Sequence, residues 1–267
     1  MELKAVSSRD NPEIKRIRAL AQRKHREKDN VFLTEGLRHA LEAAETGWAF
    51  ETVVIEDEAR NHPLVKKLLA IVQKQKCHCL AVPSKLMESI TTRDNAQAVV
   101  AVIKQRWQPL KDVQKGLWVA LEEIRDPGNL GTIMRTADAV GAKGIILIGN
   151  TCDPYSLEAI RASMGSFPHV ALVRCSAQEF TTFADSKNFN IVGTHLKATH
   201  DYRQLDYGDN CIILMGNEQA GLTDALTEVC TARVKIPMQG KADSLNVAVA
   251  TAVVLYEAQR KKLALTC

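Results

Sequence analysis

From Leu117 onward the chain alternates short, largely apolar runs with stretches of helical spacing, and no other feature restricts its fold as much. The runs are Leu117–Leu121, Gly144–Ile148, His169–Val173, Asn190–Gly193, Cys211–Met215 and Ala232–Ile236. A strand with one wet face alternates apolar and polar residues, whereas a nearly continuous apolar strand is buried on both faces. Between the runs, helices are expected near Leu130–Val140, Ser156–Met164, Ala177–Asp185 and Gly221–Glu228, with a long one from about Ser244 to Lys262. This rhythm predicts an α/β fold whose parallel sheet carries helices on both sides. Ligands of such sheets gather at the carboxyl ends of the strands, so the loops that follow strands are where chemistry belongs.

The first 104 residues predict a smaller α/β domain. Asn11-Pro12 opens a helix with Ile14, Ile17, Leu20 and Ala21 on one face. Strands are expected at Val31–Leu33, Thr52–Ile55, Cys79–Val82 and Ala98–Ile103. Helices are expected at Glu35–Thr46, closed by Gly47, at Pro63–Lys74 and at Lys85–Ser89. Residues 105–116, polar with one proline and one glycine, read as a linker, leaving 117–267 as the second domain. A cut near Gly116 is therefore expected to release a second domain that keeps its own ligand-binding capacity. Charge divides the same way: residues 1–120 carry net +6 and residues 121–267 net −2. Nine basic residues crowd the first 28 positions, a distribution suited to a polyanion or simply to a solvated helix face.

No apolar run reaches the about 18 residues of a membrane span, and the N-terminus lacks the apolar core of a secretory signal. Seven cysteines without a CxxC pair suggest reduced thiols and a cytosolic protein. Cys77-His78-Cys79 lacks zinc-site spacing, so no metal is expected. Phosphate-loop, dinucleotide-fingerprint and nucleophile-elbow patterns are absent, which argues against nucleotide hydrolysis, a nicotinamide oxidoreductase and a hydrolase triad.

Three strand-following loops stand out. Asp126-Pro-Gly-Asn129-Leu-Gly131 leads into a helix bearing Arg135, and Asn129 is placed to cap it. Leu214-Met-Gly216-Asn-Glu218-Gln-Ala-Gly221-Leu222 puts a glycine at a strand end, where a flat ligand could lie against the backbone. Ile236-Pro-Met238-Gln-Gly240-Lys-Ala-Asp-Ser244-Leu245-Asn246 joins the last strand to the last helix, with Ser244 placed as its cap. On residue types alone, the first reads foremost as a capped turn and the third as a capped helix, and Glu218 in the second as an acid that complements a helix dipole.

Together the loops resemble the three motifs of the SpoU, or TrmH-like, branch of the SPOUT RNA methyltransferases. Asn129-Leu-Gly-Thr-Ile-Met-Arg135-Thr-Ala is similar to motif 1, Met215-Gly-Asn-Glu218-Gln-Ala-Gly-Leu to motif 2, and Ile236-Pro-Met-Gln-Gly…Ser244-Leu-Asn246-Val-Ala-Val-Ala to motif 3. Ser8, Asn11-Pro12, Ile14-Lys15 and Phe32-Leu33-Thr34-Glu35-Gly36 resemble the family's substrate-binding extension, although Gln97-Ala98 stands where relatives commonly carry Gln-Gly. The resemblance implies S-adenosylmethionine-dependent methylation of a ribose 2′-hydroxyl in RNA, with rRNA favoured over tRNA. A non-enzymatic RNA-binding or ribosome-assembly protein is the rival from another class, disfavoured because the motif residues are present. The resemblance further implies a parallel-sheet domain with a deep trefoil knot, a small N-terminal α/β RNA-binding domain, and a homodimer. Catalytic roles carry over to Arg135, with Asn129, Glu218, Ser244 and Asn246 orienting it and the acceptor ribose. Cofactor contacts carry over to Thr194, His195, Leu196, Gly216, Ile236, Met238 and Leu245. Leu245, Val249, Ala252, Val253 and Tyr256 spread apolar surface over more of the last helix than one sheet contact requires, which fits a twofold mate.

Overall fold

The computed structural model describes residues 3–91, 97–186 and 189–263. The chain forms two compact units, one of residues up to Gln105 together with Asp153–Pro168, the other of Arg106–Cys152 together with the residues from His169 onward. Two features differ from the expected division. Residues 106–116 are no free linker. Gln108 N–H donates to the Leu172 carbonyl at 2.8 Å, Val113 is buried, and Arg174 stacks over the Trp107 ring at 4.7 Å. Residues 153–168, expected within the second domain, pack instead with the first unit.

The first unit contains β1 (Lys4–Ala5), α1 (Pro12–Ala19), α2 (Arg23–Asp29), β2 (Val31–Glu35), α3 (Leu37–Glu45), β3 (Phe50–Glu56), α4 (Pro63–Gln73), β4 (His78–Val82), α5 (Ser84–Glu88) and β5 (Val99–Lys104). Its sheet runs β1-β4-β3-β5-β2, with β5 antiparallel to both neighbours. Val31 and Leu33 join Ile14, Ile17 and Leu20 in one core. Phe32 points to the opposite face, as strand alternation requires, and meets Trp48, Tyr155 and Phe167 with ring centroids 4.7–5.8 Å apart. Two of those rings come from the 153–168 segment, and that apolar surface is the reason it leaves the second unit. Arg26, 4% exposed, holds the same segment by donating to Asp153 at 2.6 Å, and Arg161 pairs with the buried Glu35. Removing one partner of such a buried pair typically costs about 3–5 kcal/mol.

The second unit contains β6 (Leu117–Glu122), α6 (Pro127–Ala139) and β7 (Gly144–Ile148); α7 (Leu157–Ala162) follows in the chain but belongs to the first unit. Then come β8 (Ala171–Cys175), α8 (Ala177–Ser186), β9 (Asn190–Thr194), β10 (His200–Asp201), β11 (Cys211–Met215), α9 (Asp224–Glu228), β12 (Ala232–Lys235) and α10 (Val247–Ala258). All seven strands are parallel, in the order β10-β12-β9-β11-β6-β7-β8. The expected helix from Gly221 starts at Asp224 because Gly221 takes φ +73°. β8 starts two residues later than expected because Phe167–His169 closes a short 3-10 turn.

Candidate active site

The site is assembled at the carboxyl ends of β6, β9, β11 and β12. β6 ends on Glu122, and the chain then turns through Glu123, at φ +47°, into α6. Asp126, not Asn129, caps α6, its carboxylate accepting the Asn129 N–H at 2.6 Å. Pro127 decides this, since a proline at the first helical position makes the preceding residue the cap. The Asn129 side chain is thereby free for another partner.

β11 ends at Met215, and the next seven residues fold back on themselves. Asn217 and Gly221 exchange backbone hydrogen bonds of 3.0 and 2.9 Å, while Asn217 Oδ1 accepts from the amides of Gln219 and Ala220. A Cβ on Gly216 would lie 2.2 Å from the Gly221 carbonyl carbon and 2.3 Å from the Leu222 nitrogen. The glycine thus serves the loop's own closure: the space a side chain would take is filled by backbone. Glu218 projects exposed from the loop. With Asn129, Glu122, Glu123, Asp126 and Asn217 it lines a cleft of about 600 Å³.

After β12 the segment 236–246 leads to α10, capped by Asn246 rather than Ser244. Asn246 Oδ1 accepts from the amides of Ala248 (2.9 Å) and Val249 (3.3 Å). Its Nδ2 donates to Asn129 Oδ1 at 3.0 Å. One amide therefore caps a helix with its oxygen and ties the first and third loops together with its nitrogen. Ser244 is exposed and makes no such link. Arg135 is exposed on α6, six residues beyond Asn129 and so about 9 Å along the axis; it does not line the cleft.

The residues expected to hold a cofactor lie at the end of β9 and on the loops after β9, β11 and β12, three adjacent strands. Thr194 Oγ donates to Met215 Sδ at 3.4 Å, and His195 N–H donates to the Val234 carbonyl at 3.0 Å. Leu196 is 73% exposed and Met238 39%, with Ile236 and Leu245 half-buried nearby in sequence. Exposed apolar side chains beside strand-end backbone are what a flat heteroaromatic ring with polar edges requires of its bed. Among the described residues no cluster of three or more His, Cys, Asp or Glu is placed to hold a metal ion.

Glu122, Asn217 and Thr223 escaped the sequence reading. Their signal is tertiary: Glu122 is a buried carboxylate and Thr223 its partner, 101 residues away. The basic N-terminal region is also redistributed by the fold. Lys15 pairs with Asp10, Arg16 with Asp29 and Glu51, Arg23 with Glu27, and Arg26 with Asp153. Arg9, Arg18, Lys24 and Lys28 are exposed outside these pairs.

A model of the SpoU rRNA Methylase family matches residues 116–256, and one of the MRM3-like substrate binding domain matches residues 11–101. The chain is 44% identical to the AdoMet-bound rRNA methyltransferase of Sinorhizobium meliloti, covering 98% of this chain and 99% of that one at a TM-score of 0.92. It is 29% identical to the SpoU methyltransferase AviRb of Streptomyces viridochromogenes in complex with AdoMet, covering 95% and 99% at a TM-score of 0.86. It is also 29% identical over 254 residues to the 23S rRNA (guanosine(2553)-2′-O)-methyltransferase RlmP of Bacillus subtilis, spanning 95% of this chain and 98% of that protein.

Proposed function

Because the chain belongs to the SpoU rRNA methylase family, we propose that it transfers a methyl group from S-adenosylmethionine to a ribose 2′-hydroxyl of ribosomal RNA. The observation that carries this reading is the Asn246–Asn129 hydrogen bond, which joins the first and third loops where Glu218 of the second also faces the cleft. S-adenosylmethionine, when bound, supplies the methyl group on a positively charged sulfur. Leu196, Ile236, Met238 and Leu245 offer the apolar bed for its base, with Thr194, His195 and Gly216 supplying backbone contacts.

In this reading Glu218 accepts a hydrogen bond from the acceptor nucleoside, and the linked Asn129 and Asn246 hold it in place, with Ser244 on the approach. Arg135 acts as a charged fork that grips a phosphate and stabilises negative charge growing on the 2′-oxygen. Guanidinium groups stay protonated at neutral pH, so the fork role suits this side chain better than that of a base. The first unit supplies RNA affinity, with Arg9, Arg18, Lys24 and Lys28 meeting phosphates. The preference for rRNA over tRNA rests on that extra unit and on the relatives. Action on ribosomal RNA supports a cytoplasmic location. Among the described residues, no helix is long and apolar enough to cross a membrane.

Two structural expectations belong to the same reading. β12 lies outside β9, yet α10, which follows it, packs against α6, which follows β6. That crossing from β12 back to α6 supports the expected trefoil knot. The outward face of α10 keeps Val249 and Tyr256 half exposed, which supports a homodimer.

The test incubates the protein with ribosomal subunits or with tRNA and methyl-labelled S-adenosylmethionine, then maps 2′-O-methyl nucleotides by mass spectrometry. One labelled ribose in rRNA is expected; label only in tRNA, or none, overturns the assignment.

A further inference from the structure

The loop that carries Glu218 is anchored at both ends to the end of β6. At its start, Asn217 Nδ2 donates to the Glu123 carbonyl at 2.9 Å. At its end, Thr223 donates twice to Glu122, from its N–H to Oε2 at 2.9 Å and from its hydroxyl to Oε1 at 2.7 Å. Glu122 is only 4% exposed. A carboxylate so far from water is tolerated where hydrogen bonds satisfy it, and here both oxygens are spent on one loop residue. Between the anchors the loop is closed on itself by the Asn217–Gly221 pair, and Thr223 follows that closure by two residues.

We propose that Glu122 is a positioning residue that sets the place of the Glu218 carboxylate through Thr223. The inference rests on the methyltransferase reading given above. Glu122 itself touches no reacting atom in this scheme. Its effect is geometric, and a misplacement of about 1 Å at a reacting centre can slow chemistry about a hundredfold.

A double-mutant cycle decides the matter. Single-turnover methyl transfer to the rRNA nucleotide mapped above is measured for wild type, Glu122→Ala, Glu218→Ala and the double variant. Saturating S-adenosylmethionine is used, and bound cofactor per chain is measured by calorimetry. If Glu122 works through Glu218, Glu122→Ala slows wild type about ten- to a hundredfold but changes the Glu218→Ala enzyme less than about twofold. Cofactor stoichiometry and affinity stay constant throughout. Glu122→Gln, whose amide can accept from the Thr223 N–H and donate to its hydroxyl, recovers most of the loss, as does Thr223→Ser relative to Thr223→Val. Should Glu122→Ala fail to fold, Thr223→Val takes its place in the cycle, since it removes one donor and keeps the other. Equal, multiplicative losses in both backgrounds, or a loss that tracks bound-cofactor stoichiometry, overturn the inference while leaving the methyltransferase reading intact. A wild type that transfers no methyl group overturns both.

Discussion

Arg135 stands exposed on α6 while the residues grouped with it by sequence, Asn129, Glu218 and Asn246, gather about a cleft it does not line. A fork that grips phosphate needs two coplanar donors, and a lysine ammonium has the charge without the plane. Arg135→Lys is therefore expected to lose nearly as much single-turnover activity as Arg135→Ala, about a hundred- to a thousandfold, with cofactor affinity within about twofold of wild type in both. A lysine variant whose methyl transfer climbs with pH toward wild-type rates, following an ammonium pKa of about 10.4, would show that the arginine works as a base. Motif spacing made Asn129, Glu218 and Asn246 legible as candidates. The two helix caps were misread for reasons a sequence can partly supply. Pro127 already marked Asp126 as a cap. Asn246 and Ser244 are both good cap residues, and Asn246 also bonds Asn129, 117 residues distant, a contact that no local rule contains.

Elements were most legible where burial left one solution. β7 and β11 match the apolar runs that announced them, because strands covered on both faces permit no polar residue and so mark their own ends. α2 went unseen because Arg23–Asp29 is wholly polar; the buried Arg26 and the Asp29–Arg16 pair tie it down. α10 shows the opposite excess. Val247, Ala248, Thr251, Val254 and Leu255 face inward, yet Val249 and Tyr256 remain 50% and 51% exposed on the other side. A helix apolar all round is a buried helix, so its outer face calls for a second protein surface. Replacing Val249 and Tyr256 together by Glu should convert a dimer to monomers in light scattering at micromolar concentration. Tyrosine anchors of this kind contribute about 2 kcal/mol or more, roughly thirtyfold in Kd. A wild type that already scatters as a monomer would remove the homodimer from the functional reading.

At the scale of the whole molecule, the alternation of strands and helices foretold two α/β units but not the exchange of residues 153–168 between them. Helical spacing reports that Ile160 is buried without reporting against what. The consequence for dissection is direct. A fragment beginning near Gly116 would cut away residues 106–115, which pack with the second unit, and would strip cover from Tyr155, Ile160 and Phe167, each 1% exposed in the full chain. Fully burying side chains of this size is worth about 1.5–3 kcal/mol each. The fragment is expected to be aggregation-prone, with a thermal midpoint well below that of the intact protein, instead of an independent cofactor binder. A soluble fragment that melts cooperatively at the wild-type temperature would contradict this.

The borrowed segment also sets an order of events during synthesis. Once Gln105 has been made, the first unit still lacks Asp153 for Arg26, Arg161 for Glu35, and two of the rings that cover Phe32. At about 5–20 residues per second, the ribosome needs several seconds more to deliver them. Throughout that interval the amino-terminal sheet waits half-dressed, its buried acid without Arg161 and Phe32 covered by Trp48 alone of its three ring neighbours. The unit encoded first is thus finished only after β6, α6 and β7 of the second have emerged, and the two mature as a single translational project.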